Sequence, residues 1–320
     1  MQAAALTLLA PVFAKASPIP APGSRLTPQS TAEDATEGLQ LSSKTIVVTG
    51  CNSGIGLEVM RVLALRGARV IGTARDAAKG EAACRGVRGK AIPVVLELDD
   101  FDSVVACAHR IGQLTSSVDA LVCNAGIVLD GHERTRGLEK QFVVNHLGHF
   151  LLVNRLLDRV LAAPQGRVVV VGSGDHRRAP EDGIQFDRLS GEGWFARGYS
   201  HSKLANGLFS LELSRRLRGT RATSNCVTPG HTRTNILRNV GNGYGSHART
   251  VAQGAATVCY AAVHPAVAGV SGAFLRDFAP AEQSAHQTDA AMAARLWSVS
   301  ERLTRPYLNV AEPAKSAKIS

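Results

Sequence analysis

The chain has 320 residues, of which 45% are hydrophobic, and this length can build one large α/β domain or two small ones around a sizeable core. No apolar run reaches the roughly 18 residues that a membrane span requires, so a transmembrane segment is excluded. The formal net charge of +10 suits an anionic partner, but without aromatic residues interleaved in a basic patch we expect a cofactor, not nucleic acid.

Residues 1–42 differ in composition from the rest of the chain. They are rich in Ala, Ser and Pro, and no acidic residue precedes Glu33. The stretch from Ala5 to Ala14 could serve as the apolar region of a targeting peptide, and Ala14-Lys15-Ala16 as an A-x-A cleavage site. No basic residue precedes that stretch, so an organelle (plastid-like) transit peptide fits better than a secretory signal. A disordered leader on a cytoplasmic or endoplasmic-reticulum-associated protein remains the alternative.

From Ser43 onward, β-branched apolar runs alternate with helical patterns. The predicted strands span 45–49, 69–73, 92–98, 120–123 and 168–171, and the predicted helices include 55–65, 103–111 and 138–161. Continuous apolar strands separated by helices indicate a parallel sheet that is covered on both faces. We therefore predict an α/β fold, a single Rossmann-type doubly wound sheet over residues 43–304, followed by a flexible tail at 305–320.

The stretch TGCNSGIG at 49–56 lies where the first strand passes into the first helix. A pyrophosphate bound at a helix N-terminus requires close backbone approach, free N–H groups and no Cβ in the way. The spacing is G-x3-G-x-G and differs from the commoner G-x-G-x-x-G fingerprint. Taken alone, the stretch fits a structural turn as well as a phosphate loop.

The end of the second strand carries Arg75 and Asp76, at the position that faces the adenosine ribose in such folds. An acid there would bind the 2′-hydroxyl of NAD(H), whereas an arginine accommodates the 2′-phosphate of NADP(H). We expect Arg75 to select NADP(H), against the plainer interpretation of a surface charge. The small residues of CNAG at 123–126 would let the chain pass close to such a cofactor.

Tyr199 and Lys203 are four residues apart in a helical pattern and so lie on one face. A tyrosine titrates near about pH 10, and a nearby ammonium favours the phenolate and lowers that pKa toward the working range. Ser173 follows the strand at 168–171, where a hydroxyl can donate to a substrate carbonyl oxygen. Asn145 lies inside a predicted helix, where asparagine is unfavourable, and this suggests a functional role.

In this order, TGCNSGIG, CNAG, NHLG, the serine after a strand and YSHSK resemble the short-chain dehydrogenase/reductase family. The similarity covers roughly residues 43–304. FVVNHLGHFLLVNRLL (142–157), YSHSKLANGLF (199–209), GVSGAFLRD (269–277) and RLWSVSERL (295–303) look most similar to the branch of the retinol dehydrogenases and WW-domain oxidoreductases. Protochlorophyllide reductases share the NHLGHFLL and CNA stretches and are a near neighbour.

The resemblance implies a role for each matching residue. Tyr199 would be the acid–base residue, Lys203 would lower its pKa and hold the nicotinamide ribose, and Ser173 would polarise the substrate oxygen. Asn145 would anchor the water that links Lys203 to solvent. The implied cofactor contacts, besides Tyr199 and Lys203, are Gly50, Asn52, Ser53, Gly54, Ile55, Gly56, Arg75, Glu97, Leu98, Asn124, Ala125, Gly126, Pro229, Gly230, Thr232 and Thr234.

Several residues depart from the pattern of the family. Glu97 replaces the usual aspartate at the adenine, and Gly172 replaces the first serine of a common pair. Thr228 stands where this branch often has histidine, and Thr232 where it has an apolar residue. These last two lie near the nicotinamide end, so they put the substrate in doubt and not the type of reaction.

The resemblance implies an NADP(H)-dependent oxidoreductase that interconverts an alcohol and an aldehyde or ketone, with a lipophilic, retinoid-like substrate among the candidates. One alternative is a C=C reductase similar to protochlorophyllide reductase, and another is a non-catalytic NADP-binding interaction protein. The glycine-rich loop at 239–246 occupies the position of the family's lid. We expect a monomer or homodimer, with peripheral membrane contact left open.

Two patterns resemble metal sites without completing one. His146 and His149 are three residues apart, but no carboxylate or cysteine accompanies them. The six cysteines have no CxxC spacing and are typical of buried thiols in a reducing compartment. We predict neither a metal site nor a disulfide framework.

Overall fold

A computed structural model describes residues 26–194, 197–237 and 248–308 of the chain. Its main sheet has eight strands in the order β10-β9-β8-β7-β4-β1-β2-β3, and only the β9–β10 pair is antiparallel. A separate short hairpin pairs β5 with β6. The strands are β1 (Thr45–Val48), β2 (Arg69–Ala74), β3 (Lys90–Val95), β4 (Ala120–Cys123), β5 (Arg134–Thr135), β6 (Leu138–Glu139), β7 (Arg167–Val171), β8 (Thr223–Val227), β9 (Phe274–Arg276) and β10 (Ala279–Pro280).

Helices cover both faces of this sheet. They are α1 (Gly54–Leu65), α2 (Ala77–Arg85), α3 (Phe101–Leu114), α4 (Lys140–Phe142), α5 (Gly148–Ala162), α6 (Gly198–Arg216), α7 (Val251–Val263) and α8 (Ala290–Leu308). Short 3-10 turns lie between these elements: Gly174–Arg178 follows β7, and His286–Thr288 precedes α8. The predicted doubly wound parallel sheet is confirmed.

The core lies in two apolar layers, one on each face of the sheet. In β1, Val47 belongs to the layer under α3, α5, α6 and α8, whereas Ile46 and Val48 belong to the layer under α1 and α7. Successive strand residues point to opposite faces, so a strand that is buried on both sides must be apolar throughout. This is why the apolar runs of the sequence located β1, β2, β4 and β7 within a residue or two.

The helix predicted at 138–161 differs from the observed one. Residues 138–139 form β6, and the helix begins at Lys140 because the Glu139 carboxylate accepts the Phe142 N–H at 2.7 Å and caps it. Between α4 and α5 the chain continues as a π-helix over Val143–Leu147. The apolar periodicity could not reveal this extra residue per turn, since it does not interrupt the buried face.

Part of the stretch expected to be a leader packs onto the domain. Ala32, Ala35 and Leu41 are buried in the layer shared with α1 and α7, and the Ala32 N–H donates to the Ala252 carbonyl at 2.8 Å. Arg61 on α1 also binds Glu33 at 2.6 Å. The packed chain therefore starts upstream of the expected boundary at residue 43, and a targeting role for the stretch stays a prediction. Residues 1–25 and the predicted lid at 239–246 lie outside the described residues.

The C-terminal helix α8 closes the domain over α5 and α6. Trp297 packs edge-on against Phe150, with ring centroids 4.9 Å apart, and Ser300 bonds the His146 ring at 2.8 Å. The helix continues to Leu308, so residues 305–308, assigned to the flexible tail, are helical. Within the described part of the chain, no helix combines the length and the apolar character that a membrane crossing demands.

Candidate active site

Three groups of predicted site residues lie where β1, β4 and β7 end. The loop 49–56 follows β1, the loop 124–127 follows β4, and Ser173 lies two residues after β7. These strands are neighbours and run parallel, so their carboxyl ends share one edge of the sheet, where ligands bind in such folds. The topology brings together segments that lie far apart in the sequence.

The glycine loop is folded tightly at the start of α1. Gly50 and Gly54 have positive φ values of 74° and 59°, which side chains other than glycine rarely adopt. A Cβ at Gly56 would collide with the Gly50 carbonyl oxygen and lie 2.5 Å from Asn124 Nδ2. The Ser53 side chain does not cap α1, and no acid lies in the first turn of that helix. The loop therefore leaves the first N–H groups of α1 for an anion, as a dinucleotide pyrophosphate requires.

The remaining predicted residues of this loop surround the same helix start. Asn52 is exposed, and Ser53 and Ile55 are half-buried. Ile55 also packs against the apolar layer under α1, so its side chain anchors the loop. These residues have the exposure that a loop around a bound dinucleotide needs.

Thr49 connects the two loops at this edge. Its hydroxyl oxygen accepts the backbone N–H groups of Asn124 and Ala125, both at 2.9 Å, and contacts His149 Nε2 at 2.9 Å. His149 Nδ1 lies 3.1 Å from the Asn145 carbonyl, which can only accept, so Nδ1 carries the proton and Nε2 accepts from Thr49. Burial lowers the pKa of His149 to about 4, which keeps this neutral form. The hydrogen bonds fix the loop after β4 against the glycine loop.

Asn145 lies at the centre of the π-helix and is fully buried. Its Oδ1 accepts the Ile127 N–H at 2.8 Å, and its Nδ2 donates to the Ile127 carbonyl at 3.0 Å and to Ser202 Oγ at 2.9 Å. π-helical turns often mark functional sites, and here the turn aims the amide at the loop after β4 and at α6. Gly126 faces this amide: a Cβ at Gly126 would lie 3.1 Å from Asn145 Oδ1 and 3.8 Å from Lys203 Nζ.

Tyr199 and Lys203 both lie in the first two turns of α6, as predicted. The Lys203 ammonium is 5.5 Å from the centre of the Tyr199 ring and donates to the Val171 carbonyl at 2.9 Å. Lys203 is buried, and the loss of hydration lowers its pKa from 10.5 to about 8. The ammonium is thus charged near neutral pH and close to the phenol ring, which favours a phenolate.

Ser173 forms the N-cap of the 3-10 turn after β7. Its Oγ accepts the Asp175 N–H at 3.2 Å, so the hydroxyl retains its own hydrogen as a donor. The carbonyl of Val171, two residues earlier, accepts hydrogen bonds from Lys203 Nζ and, at 3.2 Å, from Asn206 Nδ2. The serine turn and the first turns of α6 are therefore joined through the last residue of β7.

The expected adenosine end lies beside β2 and β3. Asp76 is the N-cap of α2 and accepts the Lys79 N–H at 2.8 Å, so its carboxylate is engaged in the helix start. Arg75 is 62% exposed and lies 3.9 Å from Glu97. Burial and the neighbouring Asp99 raise the pKa of Glu97. Leu98 is buried, and both its backbone carbonyl and its Cβ pack against Gly148 of α5.

The segment 228–234 turns back toward the glycine loop. Gly230 has a φ of 72°, and the Pro229 carbonyl accepts Thr232 Oγ1 at 3.3 Å. Thr232 is buried against Gly254 of α7, so its hydroxyl is used within the turn. By contrast, the Thr234 side chain lies beside the glycine loop: a Cβ added at Gly54 would be 3.4 Å from Thr234 Cγ2. Thr234 reaches the predicted cofactor site, while Thr232 serves the turn.

His146 and His149 do not share a ligand position. His146 Nε2 lies 2.8 Å from Ser300 Oγ on α8, whereas His149 turns to Thr49 and the Asn145 carbonyl. Burial lowers the pKa of His146 to about 3. The six cysteines are buried free thiols. Each of these side chains is part of the packing of the domain.

Sequence reasoning missed the roles of two residues that hold the site together: Thr49 and His149. His149 lies four residues after Asn145, and that spacing alone could have indicated the bond from its ring to the Asn145 carbonyl. Thr49 is the last polar residue before Gly50, but Asn124, Ala125 and His149, which its hydroxyl contacts, lie about 75 or 100 positions away. Only the paired strands bring them into contact.

Comparison with known proteins gives consistent matches. The model of the short chain dehydrogenase family matches residues 44–187. The chain is 35% identical to short-chain dehydrogenase TIC 32 B, chloroplastic, of Brassica napus, covering 86% of this chain and 92% of the relative. It is 36% identical to retinol dehydrogenase 12 of Homo sapiens, covering 82% and 86% of the two chains. It is 35% identical to the WW domain-containing oxidoreductase of Gallus gallus, covering 89% and 73%.

Solved structures agree with these matches. A crystal structure of an uncharacterised protein from Mycobacterium paratuberculosis is 36% identical, with a TM-score of 0.69, and covers 85% of this chain and 97% of that one. A short chain dehydrogenase/reductase family protein is 28% identical, with a TM-score of 0.62, over 74% of this chain and 96% of that one. The similarity extends over nearly the whole of both solved chains.

Proposed function

The chain belongs to the short-chain dehydrogenase/reductase family, in the branch of the retinol dehydrogenases, and we propose that it is an NADP(H)-dependent enzyme that interconverts a carbonyl compound and an alcohol. Family membership makes it an oxidoreductase with a nicotinamide nucleotide as cofactor and a small molecule as substrate. The observation that carries the finer proposal is the buried Lys203 ammonium, 5.5 Å from the centre of the Tyr199 ring.

In the reducing direction, the chain's own residues hold the carbonyl and deliver a proton to it. The Ser173 hydroxyl donates to the carbonyl oxygen, and Tyr199 gives its phenolic proton to that oxygen as negative charge develops. The positive charge of Lys203 stabilises the resulting phenolate. The nicotinamide, when bound, supplies the hydride to the carbonyl carbon. Alcohol oxidation uses the same groups in reverse.

Asn145 organises this group without contacting the carbonyl. Its amide binds Ile127 in the loop after β4 and Ser202 on α6, and Ser202 lies between Tyr199 and Lys203 in the sequence. The Asn145 carbonyl accepts from His149, and a carbonyl oxygen can accept a second hydrogen bond. We propose that this second position anchors the water that links Lys203 to solvent, so that Lys203 can return a proton to Tyr199.

Arg75 supports NADP(H) over NAD(H). The neighbouring Asp76 carboxylate is engaged as the cap of α2, which leaves the exposed guanidinium of Arg75 as the group suited to a 2′-phosphate. Glu97 is 3.9 Å from Arg75, and this separation and exposure make their ion pair weak. Displacing it for a phosphate therefore costs little.

The test is NADPH and NADH consumption with a panel of aliphatic, aromatic and retinoid aldehydes. The protein should lack residues 1–25 only, since residues 26–42 are packed. We expect turnover with NADPH that is lost in Tyr199→Phe. Arg75→Gln should raise KM for NADPH by roughly 10- to 100-fold and change KM for NADH little, because a bidentate phosphate contact is lost. The matched control is Arg85→Gln, an exposed arginine on α2. NADPH binding without any turnover would contradict the proposal.

We further propose a plastid destination and a lipophilic substrate. The acid-poor, Ala/Ser-rich stretch before residue 26 supports the first point, together with the chloroplastic TIC 32 relatives. The retinol dehydrogenase relatives support the second. The measurement is the location of the full-length chain fused to a fluorescent protein, compared with the chain lacking residues 1–25. Equal distributions would contradict a targeting role for the leader.

A further inference from the structure

The backbone of Ser173 is held by one buried histidine. His176 lies three residues later in the 3-10 turn, and its N–H donates to the Ser173 carbonyl at 3.3 Å. Its ring nitrogen Nδ1 also lies 2.7 Å from the same carbonyl oxygen. Because a carbonyl can only accept, Nδ1 carries the proton. One residue thus restrains the Ser173–Gly174 peptide twice.

The other side of the ring reaches a different part of the chain. The Ser284 N–H donates to His176 Nε2 at 3.4 Å, which again requires the neutral ring with its proton on Nδ1. His176 is 2% exposed, and its ring packs edge-on to Phe274 of β9, with centroids 5.2 Å apart. Burial lowers the pKa of His176, in keeping with a neutral ring. His176 therefore has one tautomer and a fixed orientation.

Ser284 belongs to a segment that also contacts α6, the helix that carries Tyr199 and Lys203. In this segment, residues 281–288 between β10 and α8, the Glu282 carbonyl accepts Arg177 Nη2 at 2.6 Å. Gln287 is buried against Gly207 of α6. A Cβ added at Gly207 would lie only 2.6 Å from the amide nitrogen of Gln287. Segment 281–288 therefore touches both the serine turn and the helix that carries Tyr199 and Lys203.

We propose that His176 is a positioning residue for the reaction: it fixes the Ser173 carbonyl through Nδ1–H and ties the serine turn to segment 281–288 through Nε2. This rests on the proposed function, in which the Ser173 hydroxyl donates to the carbonyl oxygen of the substrate. Rotation of the Ser173–Gly174 peptide would move that hydroxyl relative to Tyr199. Misplacement by about 1 Å can cost roughly 100-fold in rate.

Three substitutions separate the two nitrogens of the ring from its packing. In His176→Asn the amide nitrogen can occupy the place of Nδ1 and still donate to the Ser173 carbonyl. His176→Gln reaches the place of Nε2 and leaves that carbonyl without the side-chain donor. His176→Phe retains the packing against Phe274 and makes neither bond. The matched control is His264→Asn, which changes a half-buried histidine beside Arg167 at the start of β7, the end of the strand opposite to Ser173.

We expect His176→Gln and His176→Phe to lower kcat by roughly 10- to 100-fold, while KM for NADPH changes less than about threefold. His176→Asn should retain at least about a third of the wild-type kcat, because its donor is preserved. A residue that only stabilises the fold would not give this rescue by asparagine. Wild-type kcat in His176→Phe, or a loss in His176→Asn equal to that in His176→Gln, would overturn the proposal.

Two further measurements test the role of His176 and do not require enzymatic turnover. The 15N signals of the His176 ring should show a protonated Nδ1 and an unprotonated Nε2 at pH 7. Amide exchange at 174–178 should rise in His176→Gln and His176→Phe and stay close to wild type in His176→Asn. Exchange at 281–288 should rise in His176→Asn and His176→Phe, which lose the acceptor for the Ser284 N–H. A protonated Nε2, or exchange that is unchanged in all three variants, would overturn the proposal. If the wild type reduces no carbonyl, the proposed function fails, and these signals still decide whether His176 holds the turn.

Discussion

Replacing Lys203 with methionine should make the protein more stable and less active. Burial lowers the pKa of Lys203 from 10.5 to about 8, and one pKa unit corresponds to about 1.4 kcal/mol, so keeping the ammonium charged in the fold costs about 3 kcal/mol at pH 7. Methionine fills a similar volume without a charge. The bond to the Val171 carbonyl is lost, at a cost of about 1 kcal/mol, but Asn206 still donates to that carbonyl.

The net gain expected at pH 7 is therefore about 2 kcal/mol in the free energy of unfolding. Below about pH 8 both the folded and the unfolded chain hold the proton, so the full cost is present in the wild type. Between pH 8 and 10.5 the unfolded chain retains a proton that the folded one has released, so the wild type gains stability as the pH rises. The advantage of Lys203→Met should fade over that interval.

The assay is urea unfolding followed by circular dichroism from pH 7 to 10, with Lys79→Met as a control that removes one exposed lysine. Carbonyl reduction should fall by roughly 100- to 10,000-fold in Lys203→Met, because the phenolate of Tyr199 loses its neighbouring charge. A variant less stable than wild type at pH 7 would refute the reasoning. So would a stability difference that stays constant from pH 7 to 10.

Three further outcomes follow from the contacts described above. Gly56→Ala should weaken NADPH binding at least about 10-fold in a fluorescence titration, because the new Cβ collides with the Gly50 carbonyl; an unchanged Kd would contradict this. Thr49→Val should cost about 3 kcal/mol in urea unfolding, since two N–H groups and the His149 ring lose their partner; Thr49→Ser, which retains the hydroxyl, is the control. Removal of residues 1–42 should lower the free energy of unfolding by about 3 kcal/mol relative to removal of residues 1–25, because Ala32, Ala35 and Leu41 leave the core; equal stabilities would show that the segment contributes nothing.

The sequence located the strands because a parallel sheet buried on both faces needs uninterrupted apolar residues. It was less accurate where the pattern carries no boundary signal. The predicted helix over 138–161 hid both β6 and the π-helix around Asn145, since neither changes which residues are apolar. The packing of residues 26–42 was not predicted for a related reason. The few alanines and leucines of this segment are buried only because α1 and α7 lie beside them in the folded chain.

The sequence by itself determined the doubly wound sheet, the glycine loop and the Tyr199–Lys203 pair, because each depends on residue types at short, regular spacings. The tertiary structure alone decided what holds that pair in place. In the folded chain, the Asp76 carboxylate caps α2, the Thr232 hydroxyl bonds within a turn, and the His149 ring bonds the Thr49 hydroxyl. The tertiary structure also placed His176 between Ser173 and Ser284. The contacts of Thr49 with His149 and of His176 with Ser284 join residues about 100 positions apart. Their partners are fixed by the order in which the strands pair and not by distance along the chain.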